Sequence, residues 1–190
     1  MTSRLSAGIL AVAVLLTGCQ GEASRETEPH AQRPPTVGPC PELSRVPPVA
    51  GGLPDFTLPC LGEGPDVRLS DLRELPTVIN VWAAWCTTCD REMPRFAEAA
   101  AKYGERVRFL GIHYKAARGA GLASQSDFGV PFPSVHDEDG DRIVRALGAY
   151  APPQTFFVDA DGKVVGRKIG EITSQRAMTE LVERYLGVGS

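Results

Sequence analysis

TVINVWAAWCTTC, residues 77–89, changes character half-way along. Thr77 to Trp82 is β-branched and almost continuously apolar, the pattern of a central strand covered on both faces. Cys86 and Cys89 then stand three apart where helical spacing begins, with Met93, Phe96, Ala97, Ala100 and Tyr103 recurring every three to four residues. Gly104 ends that pattern, and Pro94 predicts a kink inside it. A cysteine at a helix start faces unpaired backbone N–H groups and the positive end of the helix dipole, both of which favour thiolate. The pKa of Cys86 is therefore expected below about 8.5. Position assigns the two roles: Cys86, first and outermost, attacks a substrate disulfide, and Cys89, a turn deeper, resolves the mixed disulfide.

Outward from this stretch, strands and helices alternate. Upstream, Phe56–Leu58 and Val67–Leu69 flank the turn-rich Gly62-Glu63-Gly64-Pro65, which predicts a hairpin, with Ser70 capping a short turn through Leu75. Downstream, Val107–Ile112 reads as a strand, followed by a Gly/Ala/Ser-rich segment in which a helix is expected only over Ser124–Phe128. Pro133–Val135 is a short strand, Asp137–Gly140 a turn and Arg142–Leu147 a short helix. Thr155–Asp159 and Lys163–Arg167 form a hairpin about Asp161-Gly162, and Ser174–Leu186 carries an apolar helical stripe. The expected fold is a three-layer α/β/α domain with a central mixed sheet and an N-terminal β-hairpin extension.

At 190 residues, 43% hydrophobic and 23% charged, the chain is long enough for one well-buried domain plus extras. Its 20 basic against 23 acidic residues leave a net charge of -3 and no basic run, which argues against a nucleic-acid partner. Residues 1–18 read as a signal peptide: Arg4 precedes the apolar run Leu5–Leu16, too short to span a bilayer. Leu16-Thr17-Gly18-Cys19 resembles the bacterial lipobox, which implies lipidation of Cys19 and an extracytoplasmic protein anchored at the cell membrane. Residues 19–38 then form a disordered tether, too poor in apolar side chains to pack, with His30 solvated within it. Such a tether spans about 25 Å as a coil and about 60 Å when straight. The domain is assigned to residues 39–190.

Five cysteines leave one over; with Cys19 lipidated, four remain for two pairs. The spacing of Cys86 and Cys89 suits a disulfide between them, which leaves Cys40 with Cys60 as a structural bridge. An oxidising compartment disfavours the rival reading of buried free thiols.

WCTTC followed by Glu92-Met93-Pro94, Phe132-Pro133 before an acidic turn, and Pro153-Gln154-Thr155-Phe156 before Val158-Asp159 resemble the thioredoxin superfamily. Within it, residues 53–187 are similar to the membrane-anchored TlpA/ResA-like thiol–disulfide oxidoreductases. The resemblance implies a thioredoxin-like fold and a Cys86/Cys89 dithiol that needs no cofactor. It implies a cis-proline at Pro153 whose loop, with Trp85, Thr87 and Thr88, contacts substrate. The implied partners are exported proteins bearing disulfides or thiols and a membrane electron donor, with a reductase role, cytochrome c maturation among its destinations. Two positions depart from the pattern. Asn80 stands where cytoplasmic thioredoxins place a buried aspartate, leaving Glu92 or Glu171 to assist Cys89. Thr88 replaces a common proline, and Pro152 before Pro153 restricts that loop further.

The same residues admit other chemistry. Cys86 and Cys89 with a histidine could hold copper(I) in a binding or chaperone module, and all four domain cysteines could hold zinc. Trp82 reads as core and Trp85 as partly exposed, and His113 and His136 as structural rather than catalytic or metal-binding. No metal is assigned.

Overall fold

The computed structural model describes residues 37–189. The expected signal peptide, Cys19, His30 and all but the last two residues of the expected tether lie outside them. Described strands and helices in chain order are β1 (Thr57–Leu58), β2 (Val67–Arg68), β3 (Thr77–Trp82), α1 (Thr87–Tyr103), β4 (Arg108–Tyr114), α2 (Arg118–Asp127), β5 (Ser134–Asp137), α3 (Asp141–Leu147), β6 (Gln154–Val158), β7 (Val164–Ile169) and α4 (Gln175–Leu186). A single 3₁₀ turn, Leu69–Asp71, follows β2.

All six residues of β3 are buried, and the strand lies in the middle of a five-stranded mixed sheet ordered β5-β4-β3-β6-β7. It runs parallel to β4, with Trp82 opposite His113, and antiparallel to β6, with Val81 opposite Gln154. The steps β3-α1-β4 and β4-α2-β5 move in one direction across the sheet, so right-handed crossovers put both helices on the same face. There Val78, Trp82, Phe109 and Phe157 pack against Met93, Phe96 and Tyr103 of α1 and Met178 and Val182 of α4. Alternation along the strands sends Ile79, Val81, Leu110, Ile112 and Phe156 to the other face, under Leu58, Val67, Leu69, Leu72 and Ile143 from the β1–β2 hairpin, the 3₁₀ turn and α3. This is a three-layer domain.

The free edge of β5 is closed by the segment after β1. Leu61 N–H donates to Ser134 C=O at 2.7 Å and His136 N–H to Pro59 C=O at 2.8 Å, which removes the unpaired edge. Cys60 lies within this strap and is bonded to Cys40 with S–S 1.99 Å and Cα–Cα 6.0 Å. Both cysteines are buried. The bridge closes a loop of about 20 residues, so replacing both cysteines by alanine is expected to lower the unfolding free energy by about 3 kcal/mol, read as an earlier midpoint in urea with a steeper slope, because the uncrosslinked denatured chain exposes more surface.

Two local expectations are corrected. Helix α2 begins at Arg118 rather than Ser124. Its glycines suggest a loop, but a Cβ on Gly121 would stand 2.7 Å from His113 Cε1, so the glycine serves a close approach of helix to sheet. Ser70 caps nothing: it lies inside the 3₁₀ turn, and its hydroxyl donates to Asp55 Oδ1 at 3.2 Å. Its neighbours there are the ion pairs of Arg68 with Asp55 and Asp71. Helix α1 continues through Pro94 as one element to Tyr103. The other strand and helix boundaries shift by at most two residues; β4 extends to Tyr114 because β5 continues alongside it, pairing Tyr114 with Asp137.

Candidate active site

Strand β3 delivers the chain into Ala83–Trp85, and α1 starts immediately beyond with Cys86 as its N-cap residue. Cys86 has extended backbone, φ −97° and ψ 92°, so its side chain turns back over the first helical turn and accepts the Cys89 backbone N–H at 3.2 Å. Here sulfur takes the place of the usual capping oxygen and shares the Cys89 N–H with the Cys86 carbonyl, which accepts it at 2.8 Å. The two cysteines are joined, S–S 2.08 Å and Cα–Cα 5.2 Å. Cys89 is fully buried and Cys86 is 5% exposed. Thr87 is exposed, and Thr88 is half-buried with its Oγ1 3.3 Å from Cys86 Sγ.

The Pro152–Pro153 peptide is cis, and Pro153 is buried at the entry to β6. Because Val81 pairs with Gln154, Pro153 falls beside the end of β3, from which the dithiol turn emerges. Trp82 belongs to the core: its Nε1 donates to Ser134 Oγ at 3.1 Å across Gly111, where a Cβ would stand 2.7 Å from that nitrogen. Trp85 is 57% exposed, and its Nε1 donates to Lys115 C=O at 2.9 Å.

The geometry ranks the two acids. Glu92 lies one turn beyond Cys89 on α1 and is fully buried. Asn80 Nδ2 donates to its Oε1 at 2.8 Å and Ile172 N–H to its Oε2 at 3.0 Å. Burial pushes the Glu92 carboxyl up to about 7, against the opposing pull of these two hydrogen bonds. Glu171 instead meets Arg91 at 2.7 Å and Arg95 at 3.5 Å, and the Arg91 hydrogen bond holds it below the usual carboxylate range. Asn80 is thus an amide that holds Glu92.

His113 and His136 are both buried, with Nδ1···Nδ1 at 3.0 Å and ring centroids 5.1 Å apart. Those two distances fit one edge-to-edge N–H···N hydrogen bond, since each ring nitrogen lies about 1 Å from its centroid along that line. The pair spends its Nδ1 atoms on itself, and burial lowers His113 to about 4. Among the described residues no group of three or more His, Cys, Asp or Glu is placed to hold a metal ion.

Residues 49–167 match the model of the AhpC/TSA family. The thiol:disulfide interchange protein DsbE of Pseudomonas fluorescens biotype C is 35% identical over 133 residues, 70% of this chain and 72% of that protein. The thiol-disulfide oxidoreductase ResA of Bacillus anthracis is 33% identical over 124 residues, 65% of this chain and 70% of that protein. The chain belongs to the AhpC/TSA family and is a thiol–disulfide oxidoreductase of the DsbE/ResA type. A solved structure of a secreted Mycobacterium tuberculosis disulfide oxidoreductase, described as homologous to E. coli DsbE, superposes with TM-score 0.60 at 27% identity, covering 68% of this chain and 96% of that one. The thioredoxin-like fold expected for this DsbE/ResA-type oxidoreductase is the fold observed.

Sequence reading passed over three residues beside this dithiol. Lys115 has left-handed backbone, φ 47°, and presents the carbonyl that holds Trp85. Tyr114 ends β4 and Tyr150 precedes the proline loop. No local pattern marks Lys115, whose hold on Trp85 is through its backbone carbonyl; Tyr150 lies three residues before Pro153 and could have been noticed by that proximity.

Proposed function

We propose that this oxidoreductase acts outside the cytoplasm, held at the membrane by a lipid on Cys19, as a reductase of disulfides in exported proteins. Cys86 attacks the substrate disulfide, and Cys89 resolves the mixed disulfide. Glu92 accepts the proton that Cys89 must lose. Trp85, Thr87, Thr88 and Pro153 form the surface against which substrate lies, and a membrane donor returns the electrons. Cytochrome c maturation is one destination for such a reductant.

The observation that carries this reading is the helix-start sulfur of Cys86, bonded to the Cys89 N–H, with a buried carboxyl one turn beyond Cys89. The backbone donor that stabilises a thiolate at Cys86 also favours it as the leaving sulfur when Cys89 attacks. The N-terminal pattern of residues 1–19 supports export and lipidation. No helix among the described residues is long and apolar enough to cross a membrane. The reductase direction rests on the resemblance to the TlpA/ResA-like proteins. Equilibration of the Cys86/Cys89 couple with glutathione tests that direction: a potential near about −270 mV is expected, and one near about −120 mV would make the protein an oxidant.

A further inference from the structure

Beside Cys86 lies an open recess of about 400 Å³ lined by Trp85, Tyr114, Lys115 and Tyr150. Its two walls come from distant parts of the chain and are fixed to one strand end. Trp85 Nε1 donates to Lys115 C=O at 2.9 Å, and Tyr114 Oη donates to Tyr150 C=O at 3.2 Å. Tyr114 is the last residue of β4 and Lys115 the next, so the dithiol turn and the loop before Pro153 are held to the same anchor. Gly140 makes room for that anchor, since a Cβ there would stand 2.4 Å from Tyr114 Cε2. Tyr150 is the most exposed large apolar side chain among the described residues, at 75%, and Trp85 is 57% exposed. Aromatic side chains with pinned supports and free faces bury large area on contact at little entropic cost. Lys115 is the single charged residue of the lining, and no carboxylate faces it there.

Resting on the exchange reading above, we propose that this recess selects substrate segments carrying an aromatic side chain and a carboxylate next to the attacked cysteine. The aromatic ring sits between Trp85 and Tyr150 while the carboxylate meets the Lys115 ammonium. Trp85 is covalently next to Cys86, so a side chain seated here belongs to a residue adjacent to the substrate sulfur. In the reaction the protein dithiol passes two electrons and two protons to the substrate disulfide, ending as the Cys86–Cys89 disulfide. The recess itself takes part in no bond change.

The test uses the reduced protein, four oxidised peptides that differ only beside one cysteine, and 2-hydroxyethyl disulfide as a substrate without side chains. The flanking pairs are phenylalanine with glutamate, phenylalanine with lysine, alanine with glutamate, and two alanines. The phenylalanine–glutamate peptide is expected to react about tenfold faster than the alanine pair. Its glutamate should contribute about threefold of preference over lysine at low salt, vanishing near about 1 M salt. Tyr150→Ala should lower the ratio of peptide to small-disulfide rate about tenfold, and Lys115→Glu should invert the charge preference. Equal rates for the four peptides, with the small disulfide still reduced, would overturn the recess. Failure to reduce any of the five substrates would overturn the exchange reading beneath it.

Discussion

Cys89→Ala is expected to accumulate mixed disulfides through Cys86, whereas Cys86→Ala leaves no such adducts and loses exchange by at least about a thousandfold. The asymmetry follows from exposure and bonding. Cys86 keeps a small exposed area, 5% against none for Cys89, and its sulfur lies against the Cys89 N–H, so loss of the Cys89 side chain leaves the backbone donor in place. The attacking sulfur keeps its stabilisation and lacks only its resolving partner. Loss of Cys86 leaves a fully buried thiol at Cys89 that an incoming disulfide cannot reach. Thiol trapping followed by non-reducing electrophoresis distinguishes these outcomes. Equal trapping by the two variants would reverse or abolish the assignment of roles.

Glu92→Gln should slow resolution of the mixed disulfide about 10²–10³-fold at neutral pH and flatten its pH dependence. With its carboxyl raised to about 7, the wild-type base is ionised only as pH climbs through that value, so the rate of resolution rises there. Glutamine keeps the shape and the Asn80 neighbour but accepts no proton. Stability gives a second signature with a definite sign. The folded pKa lies above the ordinary 4.5, so protonated Glu92 favours the folded state; that contribution is complete below about 4.5 and lost as pH rises through about 7. Wild type should therefore lose up to about 3 kcal/mol between these limits from this group, and Glu92→Gln should lack that part of the slope. Urea melts at pH 5 and pH 8 read the difference. A rate change without the altered pH profile would reduce Glu92 to a structural role.

The elements that build the dithiol were legible because each has a local cause. The β-branched run Thr77–Trp82 and the apolar spacing of α1 owe little to distant residues. What escaped depends on tertiary approach. Gly121 weakens a helix in isolation, yet its missing side chain lets α2 lie against His113. Asn80 on its own suggests a vacated acid; only the helix crossing over β3 reveals it as the donor to Glu92. The choice between Glu92 and Glu171 rests on burial against pairing with Arg91 and Arg95, which spacing alone does not encode. Lys115 and Tyr150 are tied to the site by their backbone carbonyls, which accept from Trp85 and Tyr114, and side-chain identity carries almost no trace of those ties.

The place where the polypeptide joins the sheet carries a consequence for orientation. Gly38 N–H bonds Pro131 C=O, and Pro131 borders Leu75 and Arg108 at the end where β3 and β4 begin. Cys86 follows the opposite end of β3, about 20 Å away along strands of this length. Grasped at its N-terminal side, the molecule therefore turns its reactive pole outward. Immobilising it on beads through that side should leave turnover on large partners intact, while coupling through Lys115 should block it.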